Sequence, residues 1–144
     1  MGGPGLFFYG EYGVGKSSLG AILLKAAAAY QITSFWLNFK QLKDIDFHPE
    51  DFMFNQYMDF KERAIDVDFL FVDEFQCKSN LHWPIGVLED IIRLRYQNLK
   101  TTCMSSNSSP WKIKESKVCG GLRAIMTEAM IGIRIEGKQF RPKP

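Results

Sequence analysis

Hydrophobic positions along this chain come in short blocks, separated by stretches marked with glycine, proline or charge. Leu6-Phe7-Phe8-Tyr9 is an apolar run bounded by glycines, the pattern of a strand buried on both faces. Ser17 to Tyr30 is rich in Ala and Leu, both good helix formers, and predicts a helix. Thr33 to Phe39 (TSFWLNF) is β-branched and aromatic and predicts a second strand. From Lys40 to Arg63 the chain turns mixed and charged, with a helix start at Pro49-Glu50-Asp51, where acids favour the first turn. Val67 to Val72 is nearly continuous in apolar residues and predicts a third buried strand. Pro84 opens a helix to about Asn98, Thr101 to Ser106 is a fourth, less apolar strand, and SSNSSP (Ser105 to Pro110) is a loop by composition. A helix from about Leu122 to Met130 leads into a last strand, Ile131 to Ile135, and the tail from Arg141 is expected to fray. Strands that alternate with helices predict an α/β domain built on a mostly parallel sheet.

Composition narrows the class without changing that picture. The chain has 144 residues, 46% hydrophobic and 24% charged, enough for one globular core and unremarkable for a single domain. A formal net charge of +2 is too small to identify a nucleic-acid partner by itself. Cys77, Cys103 and Cys119 are odd in number and lack CxxC spacing, which predicts reduced thiols in a cytoplasmic protein, and neither His48 nor His82 stands at zinc-ligand spacing from a cysteine pair. No apolar run approaches the ~20 residues of a membrane span, and the first residues lack the charged and apolar regions of a signal peptide.

The chemistry is concentrated in Gly10-Glu11-Tyr12-Gly13-Val14-Gly15-Lys16-Ser17, a full match to the phosphate-binding pattern GxxxxGK(S/T). Glycines let such a loop wrap tightly, so that successive backbone N–H groups point at phosphate oxygens. The helix that follows adds the positive end of its dipole. Lys16 is expected to reach the β- and γ-phosphates and Ser17 to ligate Mg²⁺; the stretch Gly10 to Ser18 is assigned to ATP. The motif lies between a predicted strand and a predicted helix, which separates it from a chance match.

Phe69-Leu70-Phe71-Val72-Asp73-Glu74 is an apolar strand ending in two carboxylates. An acid at such a strand end helps to hold Mg²⁺, and a second beside it can orient or deprotonate water. Asp73 is therefore assigned to the metal and Glu74 to the hydrolytic base, against the plain alternative of two exposed loop acids. At the end of the fourth strand Asn107 would stand near the γ-phosphate if that strand lies between the first and third, or it is an ordinary turn residue.

With these residues in place the chain resembles the AAA+ ATPase domain of DnaC/DnaI-type helicase loaders, and the related IstB-type transposition ATPases. The cradle, FVDEF, and LEDIIRLRYQNLKTTCMSSN (Leu88 to Asn107) carry the resemblance; Arg95-Tyr96-Gln97-Asn98 matches the family's RYxN, Ser106-Asn107 its TSN, and Glu136 to Arg141 its closing EGxx(F/Y)R. The resemblance implies a five-stranded parallel sheet with helices on both faces and no separate C-terminal lid, the cradle strand being flanked by the last strand and the Thr101 strand. It implies that Asn107 is the sensor-1 residue, that Arg141 is the sensor-2 residue, and that ATP sits between subunits of an ATP-dependent homo-oligomer, each site completed by a neighbour's arginine finger. A replicative helicase, or a transposase, is the implied protein partner. Two departures accompany it. The family's second arginine of GERxxxSR falls near Thr127, which leaves Arg123 as the local candidate finger, with an exposed helix charge as its alternative. With nine residues before Gly10, the family's N-terminal partner-binding segment is expected to be absent here, either as a part removed from a longer protein or in a minimal form with a different partner arrangement. Residues 1–144 are expected to form one domain.

Loaders of this family grip single-stranded DNA through an insertion after the second strand. Here Lys40, Lys43, Lys61 and Arg63 alternate with Phe47, Phe52, Phe54, Tyr57 and Phe60, the ingredients of a stacking groove. Asp44, Asp46, Glu50, Asp51, Asp59 and Glu62 more than cancel that charge, and the aromatics are spaced for packing on a core, which is the favoured reading. Lys112, Lys114 and Lys117 beside Trp111 form a second such patch, with a solvated face as its default. A small-molecule or nucleoside kinase is the reading from a different class; it requires a lid arginine cluster and an acceptor pocket, and neither is evident after Asp73.

Overall fold

The computed structural model describes residues 5–44, 52–115, 117 and 119–138. Five parallel strands form one sheet in the order β2-β3-β4-β1-β5. They are β1 (Gly5–Tyr9), β2 (Ser34–Asn38), β3 (Phe69–Phe75), β4 (Thr101–Ser106) and β5 (Met130–Arg134). The cradle strand β1 is flanked by β4 and β5, as expected, and the five-stranded α/β architecture stands with no lid domain among the described residues. Helices α1 (Lys16–Ala29), α2 (Phe39–Asp44), α3 (Phe52–Asp66), α4 (His82–Gln97), α5 (Pro110–Glu115) and α6 (Gly120–Ala129) connect the strands.

Alternation within the apolar runs divides the core in two. On one face Phe7, Leu37, Leu70, Val72 and Met104 pack against α4 and α6, through Ile85, Leu88, Ile91, Leu122 and Met126. On the other, Phe8, Phe71 and Cys103 meet Leu19, Leu23 and Leu24 of α1. The same β3 run supplies both faces because successive side chains of a strand point opposite ways.

Several boundaries differ from expectation. β2 stops at Asn38, whose side-chain oxygen accepts the Lys40 N–H at 2.9 Å and so caps the short α2 that Phe39 begins. Pro84 does not open α4; His82 does, and Pro84 sits in the first turn, where its missing N–H is harmless. β3 runs on to Phe75, so Asp73 and Glu74 are strand residues, and Met130 begins β5 instead of ending a helix. The expected helix start at Pro49 and the tail from Arg141 lie outside the described residues.

Cys77 and Cys119 are bonded to one another, with Cα atoms 6.6 Å apart, which corrects the expectation of reduced thiols for this pair. Their sequence separation of 42 hides the contact; it forms because the packing of α6 on α4 brings the α6 N-terminus to the segment after β3. Cys103 is free and buried. No described helix is long and apolar enough to cross a membrane.

Arg95, in the last turn of α4, is 0% exposed. Its guanidinium donates to the carbonyls of Ala64, Ile65, Val67, Asp68 and Thr101 and to the Thr102 hydroxyl. Burial pushes its pKa down to about 10, opposed by Asp68, so it is a cation at neutral pH. The arginine thus satisfies the last carbonyls of α3, where a cation is favoured by the helix dipole, and fixes α3 to the start of β3 and β4.

Candidate nucleotide-binding site

The loop between β1 and α1 is shaped by its glycines. Gly15 has φ 102°, a conformation costly for any residue with a Cβ, and it turns the loop into the first residue of α1. A Cβ on Gly10 would lie 2.2 Å from the Ile135 carbonyl oxygen, so only glycine lets the loop leave β1 this close to the chain after β5. Lys16 is 7% exposed, and its amine donates to the carbonyls of Gly10 (2.9 Å) and Glu11. Burial lowers its pKa, with Asp73 opposing the shift. The Lys16 amine is held inside the loop by neutral carbonyls that phosphate oxygens can replace.

Ser17, in the first turn of α1, donates to Asp73 Oδ1 at 2.9 Å, with Oδ2 at 3.1 Å. This joins the cradle to the end of β3. Asp73 is 5% exposed and also accepts a 2.6 Å bond from the Ser105 hydroxyl on β4. Glu74 has φ 56°, its N–H donates to Ser105 Oγ at 3.1 Å, and its carboxylate pairs with Lys40 at 3.1 Å. Ser106 donates to the Phe75 carbonyl at 2.7 Å and accepts the Ser108 N–H at 3.0 Å, which ties the turn carrying Asn107 to the end of β3.

One cleft is lined from four segments: Tyr12, Gly13 and Gly15 of the loop, Lys16, Ser17 and Ser18 of α1, Asp73 and Glu74 of β3, and Ser105, Ser106 and Asn107 from the end of β4. Gly10, Glu11 and Val14 instead line a neighbouring groove that shares Asn107 with the cleft and includes Arg134 and Trp111. The donor set fits Mg²⁺: a hydroxyl and a carboxylate, both hard oxygen groups, converge, and Mg²⁺ takes few protein ligands when phosphates and water complete its shell. Among the described residues no cluster of three or more His, Cys, Asp or Glu could form a dedicated metal cage.

Other expected residues fall elsewhere. Arg123 lies on the exposed side of α6, beside an apolar hollow formed with Phe7, Ile113, Met126 and Met130, and it does not line the cleft. Arg141 is outside the described residues. In the basic-aromatic segment Tyr57 is buried against Trp83, Phe60 packs edge-on to Phe35, and the Arg63 guanidinium sits over the Phe35 ring at 5.1 Å. Lys40 is paired with Glu74 and Lys61 with Asp90, so among the described side chains the packing reading of this segment holds. Phe47 and the side chains of Lys43, Phe52 and Phe54 lie outside the description, as does that of Lys114 in the Trp111 patch. Ser105 has no site signal in its sequence context, since a serine inside SSNSSP reads as loop, and Lys40 stands out there only as a cation of the basic-aromatic segment, not as a partner of Glu74.

A parallel sheet in this order, with a phosphate cradle after β1, two acids at the end of β3 and an asparagine after β4, defines a P-loop nucleoside triphosphatase fold of the AAA+ type. The fold is that of a DnaC/DnaI-like AAA+ domain. A crystal structure of DnaI superposes with a TM-score of 0.76 at 20% identity, over 96% of this chain and 73% of that one. The DnaC helicase loader superposes with a TM-score of 0.69 at 25% identity, over 92% of this chain and 78% of that one. DnaA from Aquifex aeolicus, bound to AMPPCP, gives 0.73 at 21% identity, over 94% of this chain but 41% of DnaA. No protein-family model and no curated protein sequence matches the chain.

Proposed function

We propose that this chain is the ATPase module of a DNA-replication helicase loader, which binds Mg-ATP and hydrolyses it to ADP and phosphate. The observation that carries the reading is the convergence of Lys16, the Ser17–Asp73 pair, Glu74 and Asn107 on one cleft. In it the loop N–H groups and Lys16 hold the phosphates, with the Lys16 amine moving from the Gly10 and Glu11 carbonyls to phosphate oxygen. Mg²⁺, held by Ser17 and Asp73, would neutralise charge on the β- and γ-phosphate oxygens. Glu74 orients the attacking water and takes its proton, and Asn107 steadies that water or the γ-phosphate. The separation of Arg123 from the cleft supports a site finished by a neighbouring copy, with Arg123 of one subunit reaching the phosphates of the next and Arg141 serving as the second sensor. A replicative helicase and single-stranded DNA are the proposed partners. DnaC is by name a helicase loader, and another DnaA neighbour is bound to single-stranded DNA.

The test is phosphate release by the full chain with a replicative helicase and single-stranded DNA, beside Glu74→Gln. The variant is expected to keep nucleotide binding and to lose turnover by about 100-fold or more. A wild-type chain that binds no ATP, or that transfers phosphate to a small acceptor, would refute the reading. Capture of a transposase in place of a helicase would redirect it to the IstB-like alternative.

A further inference from the structure

The register of β3 on β4 slips at the site. Val72 pairs with Met104 and Phe75 with Ser106, so Asp73 and Glu74 together stand opposite the single residue Ser105. In an unbroken strand adjacent side chains point to opposite faces, and only one of two neighbouring carboxylates could look at the cradle. The extra residue is a β-bulge, a device that re-aims side chains beside active sites. With Glu74 at φ 56°, both acids line the cleft.

A bulge leaves one backbone N–H out of the ladder. Here it belongs to Glu74, and the Ser105 hydroxyl accepts it at 3.1 Å while donating its own proton to Asp73 Oδ1 at 2.6 Å. Ser105 is 1% exposed, so bulk water has no access to replace either bond. A continuous path therefore runs from the Ser17 hydroxyl through Asp73 and Ser105 to the Glu74 backbone. Only a group that donates and accepts at once can occupy this position. A carboxylate accepts but does not donate, an ammonium donates but does not accept, and alanine does neither.

We propose that Ser105 is a positioning residue for hydrolysis: by filling the bulge with one hydroxyl it holds the metal-side acid and the hydrolytic acid in a single arrangement. This rests on the ATPase reading above. It adds a role for a side chain that acts through Asp73 and the Glu74 backbone.

The decisive comparison is Ser105→Ala against Ser105→Thr in the full chain. Ser105→Ala is expected to lower kcat about 10- to 100-fold, the usual cost of removing a group that orients an active-site ligand. Its affinity for ADP measured without divalent metal should stay unchanged, because the loop and Lys16 are intact. Ser105→Thr keeps the hydroxyl and should restore kcat. A second readout needs no turnover: amide exchange at Glu74 should lose its protection in Ser105→Ala and keep it in Ser105→Thr. Wild-type kcat in Ser105→Ala overturns the proposal, as does an equal loss in both variants, which would assign the effect to packing. Absence of ATP binding and hydrolysis in the wild type would instead overturn the ATPase reading, and the proposal with it.

Discussion

Replacing Arg95 with methionine is expected to be among the most damaging single changes to the fold, although Arg95 does not line the nucleotide cleft. Methionine keeps most of the length and apolar bulk but offers no donor. The carbonyls of Ala64, Ile65, Val67, Asp68 and Thr101, and the Thr102 hydroxyl, all lose the partner they share. A buried acceptor left without a partner costs about 1–3 kcal/mol. Asp68 is exposed, and water can serve its carbonyl in part. Losing the desolvation of the guanidinium offsets some of the remainder, and a net of about 3–5 kcal/mol follows for breaking such a buried set. That is a large fraction of the ~5–15 kcal/mol that holds a typical domain together. Urea unfolding followed by the fluorescence of Trp36, Trp83 and Trp111 measures it, and a melting point lower by about 10 °C is the matching thermal result. Arg95→Lys, with three donors and no planar fork, should fall between the two. A methionine variant within about 1 kcal/mol of wild type, the margin of an ordinary hydrogen bond, would refute the claim that this arginine secures α3 to the sheet.

Two further outcomes are expected. Unfolded without reductant, the chain should expose one alkylatable thiol, Cys103, and three after reduction; mass spectrometry counts them, and three thiols without reductant would contradict the Cys77–Cys119 bond. Burial holds the Lys16 pKa below its usual value, so in alkaline buffer part of the population lacks the proton that triphosphate binding favours. Binding should then take up protons, read by calorimetry as enthalpies that differ between buffers of unlike ionisation heat; equal enthalpies would refute this.

The fold was legible where one physical cue dominated. Short apolar runs at Leu6 and Leu70, bounded by glycine or charge, fit central strands of a covered sheet, the run at Ile131 belongs to the exposed edge strand β5, and the cradle sits at the turn that this topology provides. What escaped needed three-dimensional neighbours. Ser105 looked like the start of a loop because its partners, Asp73 and the Glu74 N–H, belong to another strand. The Cys77–Cys119 pair depends on how α6 docks, and α2 and α5 are too short for a periodic pattern to show. Arg95 was read only as a family signature; its physical task, satisfying the end of α3, became visible when α3 and α4 lay side by side. The condition set for Asn107 is met in the strand order, since β4 lies between β1 and β3, and Asn107 lines the cleft.

Glu74 carries the cost of the bulge. A non-glycine residue at φ 56° is strained by about 1 kcal/mol or more, and glycine would relieve that strain while removing the carboxylate. Stability and chemistry therefore rank residues at position 74 in opposite orders. A sequence optimised for this backbone by folding energy alone would discard Glu74, and, on the proposed function, would yield a protein that holds nucleotide without turning it over. On the proposed function, the site depends on a residue that the backbone at position 74 disfavours.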